Sequence, residues 1–386
     1  MNLSITNDLG YLAIFTLVLI LPKLLLRFRL PSGITALVIG IMFSMIDPTI
    51  QDDRLFRFLS QIGITSLFLF AGLEVDFGEL KSDGKYLSKY IGKSLVVILL
   101  MVLGLSEFFD LSYPSATILA LGIFTPSAGF IMNSMHSFNM GEDQEYWVKS
   151  KAISKELMSV VLLFIALQGH DIKSMLVSLV FFAALFAFLP LIFKLYFKFI
   201  SPYAPNSEIP FLVVLSLTAG VISKELGTYY LVGAFIVGLI GSRFKHKIFK
   251  DDEQMLFSAL AGFFNVFLPF YFFQAGLKIS VGELTMDSFV LGLVFIVIFV
   301  PLRIILTSSS LKYILEEFIN KPYQISLSLM PTLIFGLVAA GALRNRGEVD
   351  SKLIYALIFY TLISSLLPSI FFSLRKGEAK QVEQQG

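Results

Sequence analysis

The strongest constraint on the fold of this chain is a series of long apolar stretches that recurs from one end to the other. A helix needs about 20 mostly apolar residues to cross a bilayer, and windows of about that length mark thirteen stretches over 386 residues. Only 15% of the residues are charged, against about 25% in soluble domains. The pattern predicts an all-α polytopic membrane protein with about 13 transmembrane helices, near residues 10–27, 33–49, 59–75, 90–108, 115–138, 150–168, 173–200, 209–226, 229–243, 256–276, 288–311, 323–343 and 350–374.

The distribution of basic residues between the loops predicts the orientation. Most Lys and Arg fall in alternate loops, such as those with Lys23, Lys85 and Lys247, and Lys149 and Lys151 are counted with them. Because basic loops stay on the cytoplasmic side, we expect the N-terminus outside and the C-terminus inside a cell (inner) membrane. The first span is expected to be retained, since no cleavage pattern precedes it.

Several classes of chemistry are not expected. The chain has no Cys, which excludes disulfides and thiolate sites. Its three histidines, His136, His170 and His246, form no ligand spacing, so neither a metal nor a cofactor is predicted. We find no set of nucleophile, base and oxyanion donors typical of an enzyme. No nucleic-acid partner is expected.

An internal repeat relates the two halves of the chain. The stretch "FLFAGLEVDFGEL" at 68–80 matches "YFFQAGLKISVGEL" at 271–284, in the third and tenth spans. Two spans further on in each half come Pro126 and Pro331. An odd number of spans separates the copies, so the second is inverted in the membrane. We therefore predict two inverted six-helix repeats joined by span 7; the alternative is chance similarity between Gly-rich helix ends.

The two prolines predict interrupted helices. Proline removes a backbone hydrogen bond in mid-helix, and the freed groups must find partners inside the protein. Hydroxyl groups are at hand in Thr125 and Ser127 on either side of Pro126 in one copy, and in Thr332 beside Pro331 in the other. Inverted repeats with a matched pair of interrupted helices are typical of secondary transporters.

Charged residues at depth in a predicted span are candidates for a functional site. Lys155 and Glu156 lie in span 6 and Arg303 in span 11, and at 1.5 Å per residue Glu156 and Arg303 lie about 10 and 13 Å from the inner edge. Intramembrane charges tend to pair and to face a cavity. Glu156 is thus a candidate for binding ions and exchanging protons. Alternatively, Lys155 extends to the surface with Glu156 as its local partner, or Glu156 and Arg303 form a structural ion pair.

At these residues the sequence resembles the monovalent cation:proton antiporter superfamily, in the branch of Kef-type and NapA-like exchangers. The resemblance is carried by "LFLFAGLEVDFGELK", "ELGTYYLVGAFIVGLIGSRF" and "FLPFYFFQAGLKIS" and covers about residues 10–374. It implies an NhaA/NapA-like fold, with the two interrupted helices crossing near the ion site, and a homodimer. The implied parts are a dimerisation domain (1–80 and 205–284) and a moving core domain (85–170 and 285–375). The repeat predicts a linker helix (173–200) between its copies, and the polar end of the chain predicts a cytoplasmic tail (376–386).

The chain departs from the family at Lys155, because family members carry Asp or Asn there. Glu156 keeps the family's ion-binding carboxylate, one methylene longer, and Arg303 aligns with its basic core residue. The resemblance implies exchange of a monovalent cation, Na⁺ or K⁺, for protons by alternating access, and a single carboxylate favours electroneutral exchange unless Lys155 itself loses a proton. One carboxylate with two cations also leaves two alternatives open: a transporter of an anion or organic solute, and a transport-inactive membrane scaffold or sensor.

Overall fold

The computed structural model describes residues 7–28, 30–75, 84–135, 140–168, 172–226, 230–245, 248, 253–314 and 322–383. Throughout this part of the chain the regular structure is helical. The three histidines lie outside the described residues, as do Gly78, Glu79 and Leu80 of the first repeat match.

Fifteen α-helices make up this described part. In chain order they are α1 (Asn7–Leu25), α2 (Ser32–Ile46), α3 (Arg54–Leu73), α4 (Gly84–Phe109), α5 (Tyr113–Phe124), α6 (Ala128–Met135), α7 (Glu142–Gln168), α8 (Ile172–Leu195), α9 (Glu208–Glu225), α10 (Tyr230–Gly241), α11 (Glu253–Leu277), α12 (Met286–Ile314), α13 (Pro322–Ser328), α14 (Leu333–Arg346) and α15 (Ser351–Glu383).

Seven helical segments of the described residues are long and apolar enough to cross a membrane. They are Asp8–Phe28, Arg54–Leu73, Gly84–Phe109, Tyr113–Met132, Met175–Ile200, Met286–Leu311 and Ser351–Phe372. Helices α2 and α10 are apolar but shorter. The chain is therefore a multi-pass helical membrane protein, and the count of thirteen spans stays a prediction.

The helices cluster into two compact units. Unit 1 comprises residues 1–74, 182–224 and 229–281, and unit 2 comprises residues 75–181, 225–228 and 282–386. The boundary at 181/182 falls inside α8. The scaffold, core and linker roles given to parts of the chain above stay predictions.

Unit 1 is built on an aromatic core and on helices in backbone contact. Phe56 packs edge-to-face on Phe273 with ring centroids 5.2 Å apart, and Phe15 packs on Phe270 at 5.0 Å. Around this core α2 packs against α11, and α3 packs against both α10 and α11. Edge-to-face aromatic pairs of this kind add to the stabilisation that comes from burial.

Two helix crossings in unit 1 use equivalent glycines of the two repeats. A Cβ placed on Gly40 of α2 would lie 3.0 Å from the Cα of Gly276 in α11. Likewise, a Cβ on Gly238 of α10 would lie 3.0 Å from the Cα of Gly72 in α3. The repeat match aligns Gly72 with Gly276. Small residues allow membrane helices to approach this closely, and here both repeats do so at matching positions.

Unit 2 contains the interrupted helices. The short helices α5 and α14 pack against each other, and most of their residues are buried. Helices α4 and α7 pack on α5, whereas α15 packs on α12 and α14. The backbone interruptions therefore lie among helices, away from lipid, which is where irregular backbone is tolerated in membrane proteins.

Candidate functional site

Two interruptions of helical structure form the centre of the site. Helix α5 ends at Phe124 and α6 begins at Ala128, so Thr125, Pro126 and Ser127 join them in non-helical conformation. Helix α13 ends at Ser328 and α14 begins at Leu333, with Pro331 and Thr332 between them. Each interruption leaves backbone N–H and C=O groups at helix ends without partners in their own helix.

The two interruptions satisfy each other's backbone groups. The N–H of Ser127 donates to the carbonyl of Pro331 at 2.8 Å. The hydroxyl of Ser127 in turn accepts hydrogen bonds from the N–H groups of Ile334 at 3.0 Å and Phe335 at 3.2 Å. Thr332, at the N-cap of α14, makes no side-chain capping bond. Ser127 thus caps a helix of the other repeat.

Each interruption is also tied to the long helix that follows it. Thr125 Oγ1 donates to Ser159 Oγ of α7 at 2.8 Å. Thr332 Oγ1 lies 3.2 Å from Ser364 Oγ of α15. All four hydroxyl-bearing residues are buried. Because a buried hydroxyl without a partner is costly, these pairs fix both loops.

Glu156 lies at the first interruption. It is 4% exposed, and its Oε2 accepts a hydrogen bond from the N–H of Ala128, the first residue of α6, at 3.0 Å. Its other oxygen, Oε1, has no hydrogen-bond partner in the described part of the chain. A helix N-terminus favours a nearby carboxylate. The site therefore holds a carboxylate with one oxygen fixed and the other available for a proton or a cation.

Arg303 lies at the second interruption and is 3% exposed. Its guanidinium donates to the carbonyls of Leu329 at 2.8 Å and Met330 at 3.0 Å, and to Tyr360 Oη at 3.0 Å. The two carbonyls follow the C-terminal end of α13, where a cation is favourable. Among the described residues Arg303 makes no hydrogen bond to Glu156. Glu156 binds at the N-terminus of one half-helix, α6, and Arg303 binds at the C-terminus of another, α13.

Lys151, which the sequence predicts in a loop, is a buried residue of a helix. Helix α7 begins at Glu142, so Lys151 lies inside it and is 1% exposed. Its Nζ lies 4.2 Å from the ring centroid of Tyr90 and has no hydrogen-bond partner in the part that the structure describes. The sequence feature that indicates this position is the four-residue spacing between Lys151 and Lys155, because it puts both lysines on one face of a helix.

Lys155 extends into a small cavity of unit 2. The cavity has a volume of about 20 Å³, enough for about one water molecule. Lys155 Nζ lies 5.8 Å from the ring centroid of Phe124. The lining residues are Tyr90, Lys93, Ser94 and Val97 of α4, Phe124 of α5, Lys155 of α7, and Arg303, Leu306, Thr307 and Ser310 of α12.

A multi-pass helical protein with two interrupted helices meeting at a buried carboxylate has the architecture of a secondary transporter. A family model described as "Sodium/hydrogen exchanger, transmembrane" matches residues 12–374. The chain belongs to this family, which is a family of transporters and not of enzymes. The resemblance to the monovalent cation:proton antiporter superfamily is thereby confirmed.

Two curated relatives and one solved structure are similar to this chain over most of its length. The chain is 24% identical over 412 residues to the putative Na⁺/H⁺ antiporter YjbQ of Bacillus subtilis, covering 98% of this chain and 65% of the length of that relative. It is 21% identical to the probable Na⁺/H⁺ antiporter 3 of Methanocaldococcus jannaschii, covering 93% and 94% of the two chains. The sodium proton antiporter MjNhaP1 from the same organism, solved at pH 8, superposes with a TM-score of 0.73 at 15% identity, covering 94% of this chain and 96% of its own. The predicted fold class is confirmed by this match.

Proposed function

We propose that this protein exchanges a monovalent cation, Na⁺ or K⁺, for protons across a membrane by alternating access. The observation that carries the proposal is the unpartnered Oε1 of the buried Glu156 beside the N-terminus of α6. A carboxylate in that setting can hold either a proton or a cation, and competition between the two at one group couples their movements. The names of the relatives, which are Na⁺/H⁺ antiporters, support the same substrates.

Glu156 is the exchanging group in this proposal, with Lys155 and Arg303 as the cations that tune it. The interruptions at Thr125, Pro126 and Ser127 and at Pro331 and Thr332 hold the half-helix ends in place around it. With one carboxylate in the site, one cation moves against one proton, so the exchange is electroneutral. We expect the protein to act as a homodimer in the cell membrane, with its N-terminus outside and its C-terminus in the cytoplasm.

The test is proton flux in proteoliposomes that contain the purified protein, driven in turn by Na⁺ and K⁺ gradients. Glu156→Gln should abolish cation-driven flux, because the amide can neither ionise nor release a proton. The matched control is Glu107→Gln, which removes an exposed carboxylate near the end of α4 and should leave flux unchanged. Undiminished flux in Glu156→Gln would overturn the assignment of the exchanging residue.

The same preparation separates the alternatives. Electroneutral exchange predicts a rate that does not change when a membrane potential is imposed. Flux that responds to anion gradients and ignores Na⁺ and K⁺ would identify an anion transporter instead. If the protein shows a thermal unfolding transition, and is therefore folded, but gives no flux under any gradient, it is a transport-inactive scaffold.

A further inference from the structure

The cavity beside Lys155 carries an excess of positive charge. Three of its lining residues are cationic: Lys93 from α4, Lys155 from α7 and Arg303 from α12. Its lining includes no carboxylate among the described residues. A fourth cation, Lys151, lies one helical turn from Lys155 against the ring of Tyr90.

Two of the three cationic groups of the lining donate hydrogen bonds to neighbouring groups, and the third does not among the described residues. The guanidinium of Arg303 donates hydrogen bonds to the two carbonyls after α13 and to Tyr360 Oη. Lys93 Nζ donates to Ser309 Oγ at 3.1 Å and lies 3.4 Å from the carbonyl of Leu306. Lys155 Nζ makes no hydrogen bond to any residue that the structure describes. These acceptors are neutral, so they solvate the cations without neutralising them.

Glu156 does not neutralise the cavity either. Its hydrogen bond goes to Ala128 at the start of α6, and it is a single carboxylate against four cationic side chains. Charges removed from water are destabilising unless they are paired, and inside a membrane protein charged residues are found with partners. The arrangement therefore lacks a negative counter-charge.

We propose that this cavity binds a small inorganic anion of the size of chloride. The volume of about 20 Å³ is enough for one ion of roughly the size of a water molecule. The ammonium groups of Lys155 and Lys93 supply the charge, and hydroxyl-bearing residues of the lining, Ser94, Thr307 and Ser310, supply the polar wall. The bound anion is a resident counter-ion to the cations beside Glu156, which goes beyond the cation exchange proposed above.

The test is halide binding to the purified full-length protein in detergent, followed by thermal unfolding and by ³⁵Cl NMR line width. At constant ionic strength, replacing gluconate with chloride or bromide should raise the unfolding temperature saturably and broaden the chloride line. Lys93→Gln should weaken halide binding by about tenfold or more, because it removes a charge partner of the ion. Lys89→Gln is the matched control: it removes an exposed lysine one turn earlier on α4 and should bind halide as the unchanged protein does.

Two results would overturn the proposal. One is an unfolding temperature and line width that are the same in chloride and in gluconate. The other is halide binding that survives unchanged in both Lys93→Gln and Lys155→Gln. Because the readout is binding, loss of cation-driven flux would leave this site standing, and loss of halide binding would leave the cation exchange standing.

Discussion

The hydroxyl of Ser127 accepts hydrogen bonds from the backbone N–H of Ile334, at 3.0 Å, and from that of the following residue. Ser127 belongs to the interruption of the first repeat, whereas Ile334 lies in the first turn of α14 in the second. A capping interaction is usually local, formed by the residue just before the helix. Here it crosses between repeats, so the two interruptions stabilise each other as a pair.

Ser127→Ala should therefore destabilise the protein although it removes only one oxygen atom. Two N–H groups of α14 would lose their acceptor in a buried setting, and loss of a cap costs about 1 kcal/mol. Thermal unfolding in detergent measures the effect, and Ser127→Thr, which keeps the hydroxyl, should restore part of it. Ser88→Ala, at an exposed serine of α4, is the control. Equal stability of Ser127→Ala and the control would contradict the capping role.

Arg303 should not be replaceable by lysine. The guanidinium reaches two carbonyls and Tyr360 Oη at once, and an ammonium on a shorter stem cannot reproduce that fork. Arg303→Lys should therefore lower the unfolding temperature more than Tyr360→Phe, although Tyr360→Phe also removes the hydrogen bond from Tyr360 Oη to the carbonyl of Ile123. Tyr360→Phe leaves both carbonyl bonds of Arg303 in place. The two variants are compared by thermal unfolding in the same detergent. The reverse order would show that the positive charge matters more than the geometry.

Gly40→Ala and Gly238→Ala should each destabilise unit 1, and by similar amounts. In both cases the added methyl meets the backbone of the facing helix, which cannot move aside as a side chain can. Overpacking of this kind costs about 1–3 kcal/mol, measured by denaturant unfolding. Gly104→Ala, in α4 where nothing lies within 4 Å of the added methyl, should be neutral or slightly stabilising. A large difference between the first two would mean that the two crossings are not equivalent.

Lys151→Met should raise stability. Lys151 is buried and makes no hydrogen bond among the described residues, and the ring of Tyr90 compensates its charge only in part. Replacing a poorly compensated buried charge with an apolar side chain of similar length should stabilise the fold by about 1 kcal/mol or more. Unfolding is measured in gluconate buffer, where a halide cannot supply a counter-charge. A fall in unfolding temperature, with Lys89→Met unchanged, would indicate that the ammonium has a stabilising partner.

Much of the fold class was accessible from the sequence because apolar length and proline position act locally. A run such as 288–311 has to be a membrane helix whatever surrounds it, and α12 spans Met286–Ile314. A proline such as Pro331 within an apolar span favours an interruption, since the backbone there loses a donor. These signals do not depend on the partner helices.

The site is harder to predict from the sequence, because its contacts depend on which way each helix faces. Depth along the helix axis put Glu156 and Arg303 at similar levels, yet the first bonds to Ala128 and the second to the carbonyls after α13. The sequence predicts a loop at Lys151, because a charged stretch is not typical of a membrane helix. Helix α7 nevertheless continues back to Glu142, since a helix that packs on α4, α5 and α6 can carry polar residues where lipid does not reach it.

The paired glycines in unit 1 also limit how that unit can deform. Packed helices usually slide past each other by small shear steps, in which an intervening layer of side chains adjusts its rotamers. At Gly40 with Gly276, and at Gly72 with Gly238, no such layer exists, because one backbone rests directly on the other. Sliding there would force main-chain carbonyls past α-carbons. We therefore expect these four helices to move together as one rigid body.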